Sequence, residues 1–353
     1  MLKELLIPII QAPMLGASTP AMAAAVSRAG GLGSLAPGLS ADAMAQAAAT
    51  VRAATDRPFA MNLFVLGPTT PVAAEVARAV AVLAPYHAAL GLPPPTAPAR
   101  WAEDFAAQFQ ALLACRPAVA SFTFGCLTAE QVSSLHAVGT AVVGTATTVA
   151  EARAWAAVGA DAICAQGCEA GGHRGSFLAP VAASLIGTMA LLPAICDAVP
   201  LPVIAAGGIM DGRGIAAALA LGADAVQLGT AFLLCPEAAT SAAWRQAILS
   251  AGDDPTRLTR AFSGRFARGI ENRFMRELRP IEDELPPYPI QNALTQPLRA
   301  AAARAGDPEL LSLWAGQGVR QVRTLGAAEL VRTLWEETQA AVRATAQRVA
   351  APL

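Results

Sequence analysis

Eight times along this chain a short, almost wholly apolar run gives way to a stretch with helical spacing. That alternation constrains the fold more than any single residue does. The runs fall at 5–12, 32–36, 59–65, 118–125, 141–145, 161–167, 203–208 and 225–230. Strands that are apolar throughout, rather than at alternate residues, must be covered on both faces, as in a parallel sheet flanked by helices. Helices are expected at 20–29, 41–54, 128–137, 147–158, 184–198 and 211–221, with Ser40 capping the second. Residues 67–117 are too long for a simple crossover and include Gly91-Leu-Pro-Pro-Pro95, which predicts helices with a proline-rich insertion on one rim. The expected architecture is α/β: a (β/α)8 TIM barrel over 1–235.

A doubly wound open sheet is the competing arrangement, and Gly31-Leu-Gly-Ser-Leu-Ala36 matches a dinucleotide fingerprint. Such a fingerprint must leave a strand and open a helix. This one follows a helix and enters a strand, so it is set aside.

Beyond residue 235 the pattern changes. Residues 236–318 carry many arginines, Asp253-Asp254-Pro255, Pro286-Pro287 and few strand signals, as expected of a smaller, mainly helical domain capping the barrel mouth. In 319–353 a final helix at 327–349 places Leu330, Val331, Leu334 and Val342 at roughly helical spacing, so it should pack back on the barrel.

Composition removes whole classes of chemistry. Lys3 is the only lysine, which excludes a P-loop lysine, a pyridoxal Schiff base and a lysine-dependent aldolase. His87, His136 and His173 are far apart, without HxH or HExxH spacing, and no CxxC pair occurs among the six cysteines; no metal site is expected. A net charge of −1 without a basic stripe gives no footprint for nucleic acid or an anionic membrane. No apolar run reaches the roughly 18 residues of a membrane span, and no leader precedes the first strand. The expectation is a cytoplasmic monomer or homodimer that acts on small molecules, with the chemistry supplied by an organic cofactor.

In a barrel the active site forms after the strand C-termini, and phosphate commonly binds after strands seven and eight. Here those ends read Ala206-Gly-Gly-Ile-Met-Asp-Gly212 and Gln227-Leu-Gly-Thr-Ala231. Exposed backbone N–H groups, a helix N-terminus and a threonine hydroxyl make an anion cradle that works without lysine; ordinary tight turns are the alternative. The sixth strand runs into Gly167-Cys-Glu-Ala-Gly-Gly-His-Arg-Gly175, a loop able to approach a planar or phosphorylated partner closely, or a flexible turn with an exposed histidine. Asn62 is polar within an apolar strand and needs a partner.

Nearly the whole chain resembles the FMN-dependent nitronate monooxygenases, formerly 2-nitropropane dioxygenases. The likeness rests on Pro8-Ile-Ile-Gln-Ala-Pro-Met14, Met61-Asn-Leu63, Ser121-Phe-Thr-Phe-Gly125, Thr145-Ala-Thr-Thr148, Glu169-Ala-Gly-Gly-His-Arg-Gly175, Ala205-Ala-Gly-Gly-Ile-Met-Asp-Gly212 and Gln227-Leu-Gly-Thr-Ala-Phe232. Ser263-Gly264-Arg265, Ala267-Arg268-Gly269 and Tyr288-Pro289 fit the family's second domain. The resemblance implies FMN as cofactor, with Ala12, Pro13 and Met14 against its ring, Asn62, Gln166 and Gly171 near the ring's polar edge, and Gly172 also among the cofactor-binding residues. Gly207, Gly208, Gln227, Gly229 and Thr230 would hold its phosphate. It also implies that His173 faces the substrate, as a base toward a neutral nitroalkane or as a partner of an anionic nitronate, and that O2 converts the nitronate to a carbonyl compound and nitrite. Well-studied bacterial members place tyrosines and a lysine around the substrate; this chain offers Tyr288, Asn292 and Gln296.

Two other readings stand beside this one. Flavin-dependent enoyl-acyl-carrier-protein reductases also resemble the chain and would use NAD(P)H; a non-catalytic flavin-binding protein would bind FMN without turnover. Among single residues, Glu169 either orients the histidine loop or is merely exposed, Arg174 is read as facing solvent, and Cys168 as structural. His136 suits the last turn of a helix, and His87 lies in the insertion.

Overall fold

The computed structural model describes residues 5–350. Eight parallel strands form the barrel: β1 (Ile9–Gln11), β2 (Gly33–Leu35), β3 (Phe59–Phe64), β4 (Val119–Thr123), β5 (Ala141–Ala146), β6 (Ala162–Gln166), β8 (Val203–Ala206) and β9 (Ala225–Leu228). The intervening β7 (Gly172–His173) belongs to a second sheet, with β10 (Thr256–Thr259) and β11 (Ala267–Ile270). Hydrogen bonding orders the barrel β1-β9-β8-β6-β5-β4-β3-β2, and a parallel bridge from Ile10 to Leu32 closes the ring. The expected (β/α)8 barrel is therefore present, with strands slightly shorter than the apolar runs.

Alternation along each strand separates two cores. Ile9, Val203, Ala205 and Val226 face outward to the helices, whereas Ile10, Ile204, Ala206 and Ala225 fill the barrel interior with other small and branched side chains. Both faces are dry, which is why the strands read as unbroken apolar runs.

Ser40 caps its helix as expected, and the structure adds two further caps. Thr19 accepts from Met22 N at the helix Pro20–Arg28, Ser40 from Ala43 N at Ala41–Ala54, and Thr128 with Gln131 forms a capping box at Ala129–Ala137. Each such cap contributes about 0.5–2 kcal/mol. The terminal helix Ala327–Ala350 packs on the barrel helices Gly212–Ala220 and Pro20–Arg28 through buried Leu330, Val331 and Leu334. Val342, expected in the same stripe, is exposed, because the helix runs past the barrel beyond Thr338.

The helices expected in 67–117 are present, but the core that one of them joins and the strands beyond residue 235 differ from the sequence expectation. The 67–117 insertion contains helices Ala73–Ala89 and Phe105–Cys115, and the first joins a core outside the barrel: Ala79 and Leu83 cluster with Phe262, Phe274, Leu294 and Leu298. Residues 236–318 also carry β10 and β11, which give few strand signals because both are short and the second partner of β11 lies across the chain in β7.

Candidate active site

Inward-facing positions at the C-terminal end of the strands turn polar. Counting by two from the interior residues Ala60, Val119, Val143, Cys164 and Ala225 reaches Asn62, Ser121, Thr145, Gln166 and Gln227. All five line one cavity of about 430 Å3 at the barrel mouth. Asn62 donates both amide hydrogens to Ser121, to O at 3.0 Å and Oγ at 2.8 Å, which satisfies its need for a partner and leaves Oδ1 as an acceptor. Gln166 is committed to its own loop: Oε1 accepts from Gly175 N at 2.8 Å and Nε2 donates to His173 O at 3.1 Å.

The ends of β8 and β9 lie side by side, with Ala206 opposite Gln227. Gly207 and Gly208 take φ of +109° and +75°, a left-handed conformation that disfavours any other residue. The N–H groups of Gly207, Gly208 and Gly229 donate to no other described residue, although all three line the cavity. Bare donors at paired strand ends fit a phosphate. Thr230 is also in the lining, but its Oγ1 accepts from Gly316 N at 2.9 Å, so it additionally ties a later loop over the cradle. Ala12, Pro13 and Met14 line the cavity from β1, and Gly171 and Gly172 from the histidine loop.

His173 is ringed by aromatic edges: Phe124 at 5.3 Å, Tyr288 at 5.6 Å, Trp314 at 5.7 Å and Phe64 at 6.2 Å between centroids. Burial, then Arg265 and Arg299, push its pKa down to about 3, so the imidazole is neutral at pH 7. Desolvation and two cations thus hold the ring well below the ordinary histidine range. Nε2 meets Ser263 Oγ at 2.9 Å.

Loop residues read as doubtful acquire definite places. Arg174 is buried rather than solvent-facing, donating to Gln166 O at 2.5 Å and also to Ser184 O. A guanidinium answers several loop carbonyls at once, which a short strand–loop signal does not reveal. Glu169 accepts from Thr188 N at 2.9 Å and Thr188 Oγ1 at 2.9 Å, anchoring the loop to the N-terminus of helix Thr188–Ala198. His136 pairs with Asp161 at 2.8 Å, and the Nδ1 of buried His87 meets Pro93 O at 2.8 Å, both away from the cavity.

On the outer side, Tyr288 and Asn292 line the cavity but Gln296 is exposed. In helix Ile290–Ala305 the seven-residue step from Asn292 places Arg299, not Gln296, in the lining. Arg299 was missed, though that spacing would have found it. Its Nη2 donates to Asn292 O and Oδ1, both at 2.9 Å, and Nε to Thr295 Oγ1 at 3.3 Å, while Nη1 has no partner among the described residues. No carboxylate pairs with it there, and burial lowers its pKa to about 10, which still leaves it charged. Arg265 stacks over Phe124, at 4.1 Å from the ring centroid, and Phe124 itself sits at φ +80°.

The bare N–H groups, the polar inner layer and the neutral histidine share one cavity at the mouth of a closed parallel (β/α)8 barrel, where enzymes of this fold carry their active sites. The chain belongs to the nitronate monooxygenase family, whose profile matches residues 1–337. It is 48% identical over 335 residues to a Pseudomonas aeruginosa protein named nitronate monooxygenase, covering 94% of this chain and 95% of that one. A probable nitronate monooxygenase of Staphylococcus aureus is 43% identical over 319 residues, 90% of each chain. Among solved structures, nitroalkane oxidase from Streptomyces ansochromogenes superposes with a TM-score of 0.91 at 42% identity, over 98% of this chain and 99% of that one. FabK from Thermotoga maritima gives 0.77 at 28% identity, over 98% of both. Among the described residues no helix is long and apolar enough to cross a membrane, and no cluster suited to a metal ion occurs.

Proposed function

We propose that the protein binds FMN and oxidises alkyl nitronates with O2 to carbonyl compounds and nitrite. The observation that carries this reading is that the donor-rich ends of β8 and β9 share a cavity with His173 and Arg299. Gly207, Gly208, Gly229 and Thr230 would hold the phosphate, with Gln227 beside them; Ala12, Pro13 and Met14 would flank the ring, and the free Oδ1 of Asn62 would accept a ring N–H. Gln166, Gly171 and Gly172 would shape the ring's polar edge. FMN supplies an electron acceptor that, once reduced, reacts with O2.

The chain's own residues do the rest. Phe64, Phe124, Tyr288 and Trp314 crowd round the partly buried His173 and would shield its ring from much of the solvent, which strengthens the charges beside it. A neutral histidine between two cations leaves the site net positive, suited to an anion. Arg299 presents the unpartnered Nη1 to the nitronate, with Tyr288 and Asn292 beside it. Residues 236–318 would act as a substrate-capping domain, and 319–353 as a segment packed back on the barrel.

Anaerobic mixing with an alkyl nitronate, propionate 3-nitronate or NADPH tests the reading by flavin bleaching. Bleaching by a nitronate, with nitrite appearing when O2 is admitted, is expected. Rapid reduction by NADPH coupled to enoyl-thioester turnover, without response to any nitronate, would instead assign the enoyl reductase activity that the FabK likeness makes the second reading.

A further inference from the structure

We propose that Ser263 is a positioning residue that fixes His173 as its Nε2–H tautomer, leaving Nδ1 as the ring nitrogen that meets the substrate. The role of His173 toward substrate rests on the nitronate reading; the tautomer does not.

A hydroxyl has one proton to give and two lone pairs to accept with. Ser263 Oγ lies 2.9 Å from Arg265 O, and a carbonyl only accepts, so the hydroxyl proton goes there. Arg265 N approaches the same oxygen at 3.4 Å and donates to it. What remains is one lone pair, facing His173 Nε2 at 2.9 Å. Were the serine proton given to Nε2 instead, Oγ and Arg265 O would stand 2.9 Å apart as two acceptors with no hydrogen between them, in a position where Ser263 is 1% exposed. Nε2 therefore carries the ring proton. Nδ1 bonds to no described residue, in a side chain that lines the cavity.

The geometry is held from both sides. Gly264, at φ +77°, turns the chain between the serine and the arginine, and a Cβ there would come within 2.2 Å of Pro286 O. Across the gap, His173 is paired with Ala267 in the β7–β11 ladder, and Arg174 N donates to Phe266 O at 2.9 Å. His173 lies on β7 and Ser263 in the turn that joins β10 to β11, so donor and acceptor are tied to one small sheet. The substrate then meets a nitrogen lone pair rather than an N–H, and direct hydrogen bonding to an anion falls to Arg299.

The test uses the flavin-loaded protein with 15N-labelled histidine. Three histidines give a readable long-range 1H–15N spectrum, and His173→Asn identifies the signals of interest. Wild type should show His173 protonated at Nε2 alone; Ser263→Ala should show both tautomers; Ser263→Thr, which keeps the hydroxyl, should resemble wild type. Activity on a neutral nitroalkane, whose proton the Nδ1 lone pair would take, should fall in Ser263→Ala by up to roughly the 10²–10⁴-fold that a positioned base contributes, and activity on a pre-formed nitronate should fall less. It should largely return in Ser263→Thr, with the pH profile of kcat/KM altered only in the alanine variant. A proton on Nδ1 in wild type, or one unchanged tautomer in Ser263→Ala, overturns the assignment. Should the alanine variant fail to fold, the wild-type and threonine spectra still decide. If the tautomers behave as expected while wild type oxidises no nitronate, Ser263 keeps its role and the proposed substrate is what fails.

Discussion

Ala267 stands directly opposite His173 in an antiparallel pair, with Arg268 opposite Gly172 one residue along. The histidine follows a barrel strand in sequence, yet its backbone is laddered to β11, about a hundred residues later. Arg268 Nε also donates to Cys168 O at 3.1 Å, and Arg265 to Arg174 O at 3.2 Å. The barrel thus supplies the cradle and the polar layer, while residues 256–270 set where the histidine points. Substitutions in β11 should therefore act on turnover before they act on cofactor retention.

The cofactor should be FMN rather than FAD. The cradle sits at β8 and β9, whereas Gly31-Leu-Gly-Ser-Leu-Ala36 joins a helix to a strand and offers no helix N-terminus to a pyrophosphate. Heat release of the flavin followed by chromatography identifies it. FAD in the supernatant, or colourless protein that takes up no FMN, would contradict the assignment.

Arg174→Met should cost stability while leaving the helices intact. The side chain is buried and donates to the carbonyls of Gln166 and Ser184. Removing it exposes each carbonyl to an apolar neighbour, at about 1–3 kcal/mol apiece. A lower urea midpoint with unchanged far-ultraviolet circular dichroism is the expected result. An unchanged midpoint would mean that the loop carbonyls find water instead.

The barrel was legible because both faces of every strand are buried, which leaves a signature in each strand separately. The inner polar layer was legible in part: Asn62 and Gln166 stand out as polar residues in apolar runs, and the period of two carries them inward. Partners set by tertiary contact left no such trace. Arg174 looks like any loop arginine until Ser184 closes over it, and β11 acquires its strand character between two short partners, β10 and the distant β7. Gln296 was chosen by a four-residue step from Asn292, but the helix's buried stripe runs through Thr295, Leu298 and Ala302, and that rotation turns Arg299 inward.

His173→Asn should keep the fold and FMN but lose activity on a neutral nitroalkane by roughly 10²–10⁴-fold, the range typical of a positioned acid–base group, while keeping much more of its activity on a pre-formed nitronate. It should also change acid stability, with a sign that follows from the depressed pKa. Unfolded, the ring titrates near 6.5; folded, near 3. Between those values the unfolded chain binds the extra proton, so acidification from pH 6.5 toward 3 destabilises wild type, and above 6.5 the ring contributes no pH dependence. Asparagine does not titrate. The stability difference between variant and wild type should therefore move in the variant's favour as pH falls through this window, while groups common to both cancel. A pH-independent difference would show that the ring is hydrated and titrates normally.

Arg299 offers the sharpest test of what enters the site. It is charged and lines the cavity, it has no carboxylate partner among the described residues, and Nη1 is unused, so its charge is answered by nothing unless an anion arrives. A charge-assisted hydrogen bond contributes about 1.5–3 kcal/mol, or roughly 10- to 150-fold in affinity. Arg299→Gln should raise KM for a pre-formed nitronate by that order and flatten its dependence on ionic strength, whereas a neutral nitroalkane should be little affected. Arg299→Lys keeps the charge but not the planar fork, and should fall between the two. The His173 pKa should rise in Arg299→Gln, since one of the cations that depresses it is gone. That spectroscopic change confirms that the substitution altered the electrostatics of the site without wrecking it. If the pKa rises while nitronate KM stays put, Arg299 tunes the histidine alone, and the anion is held elsewhere.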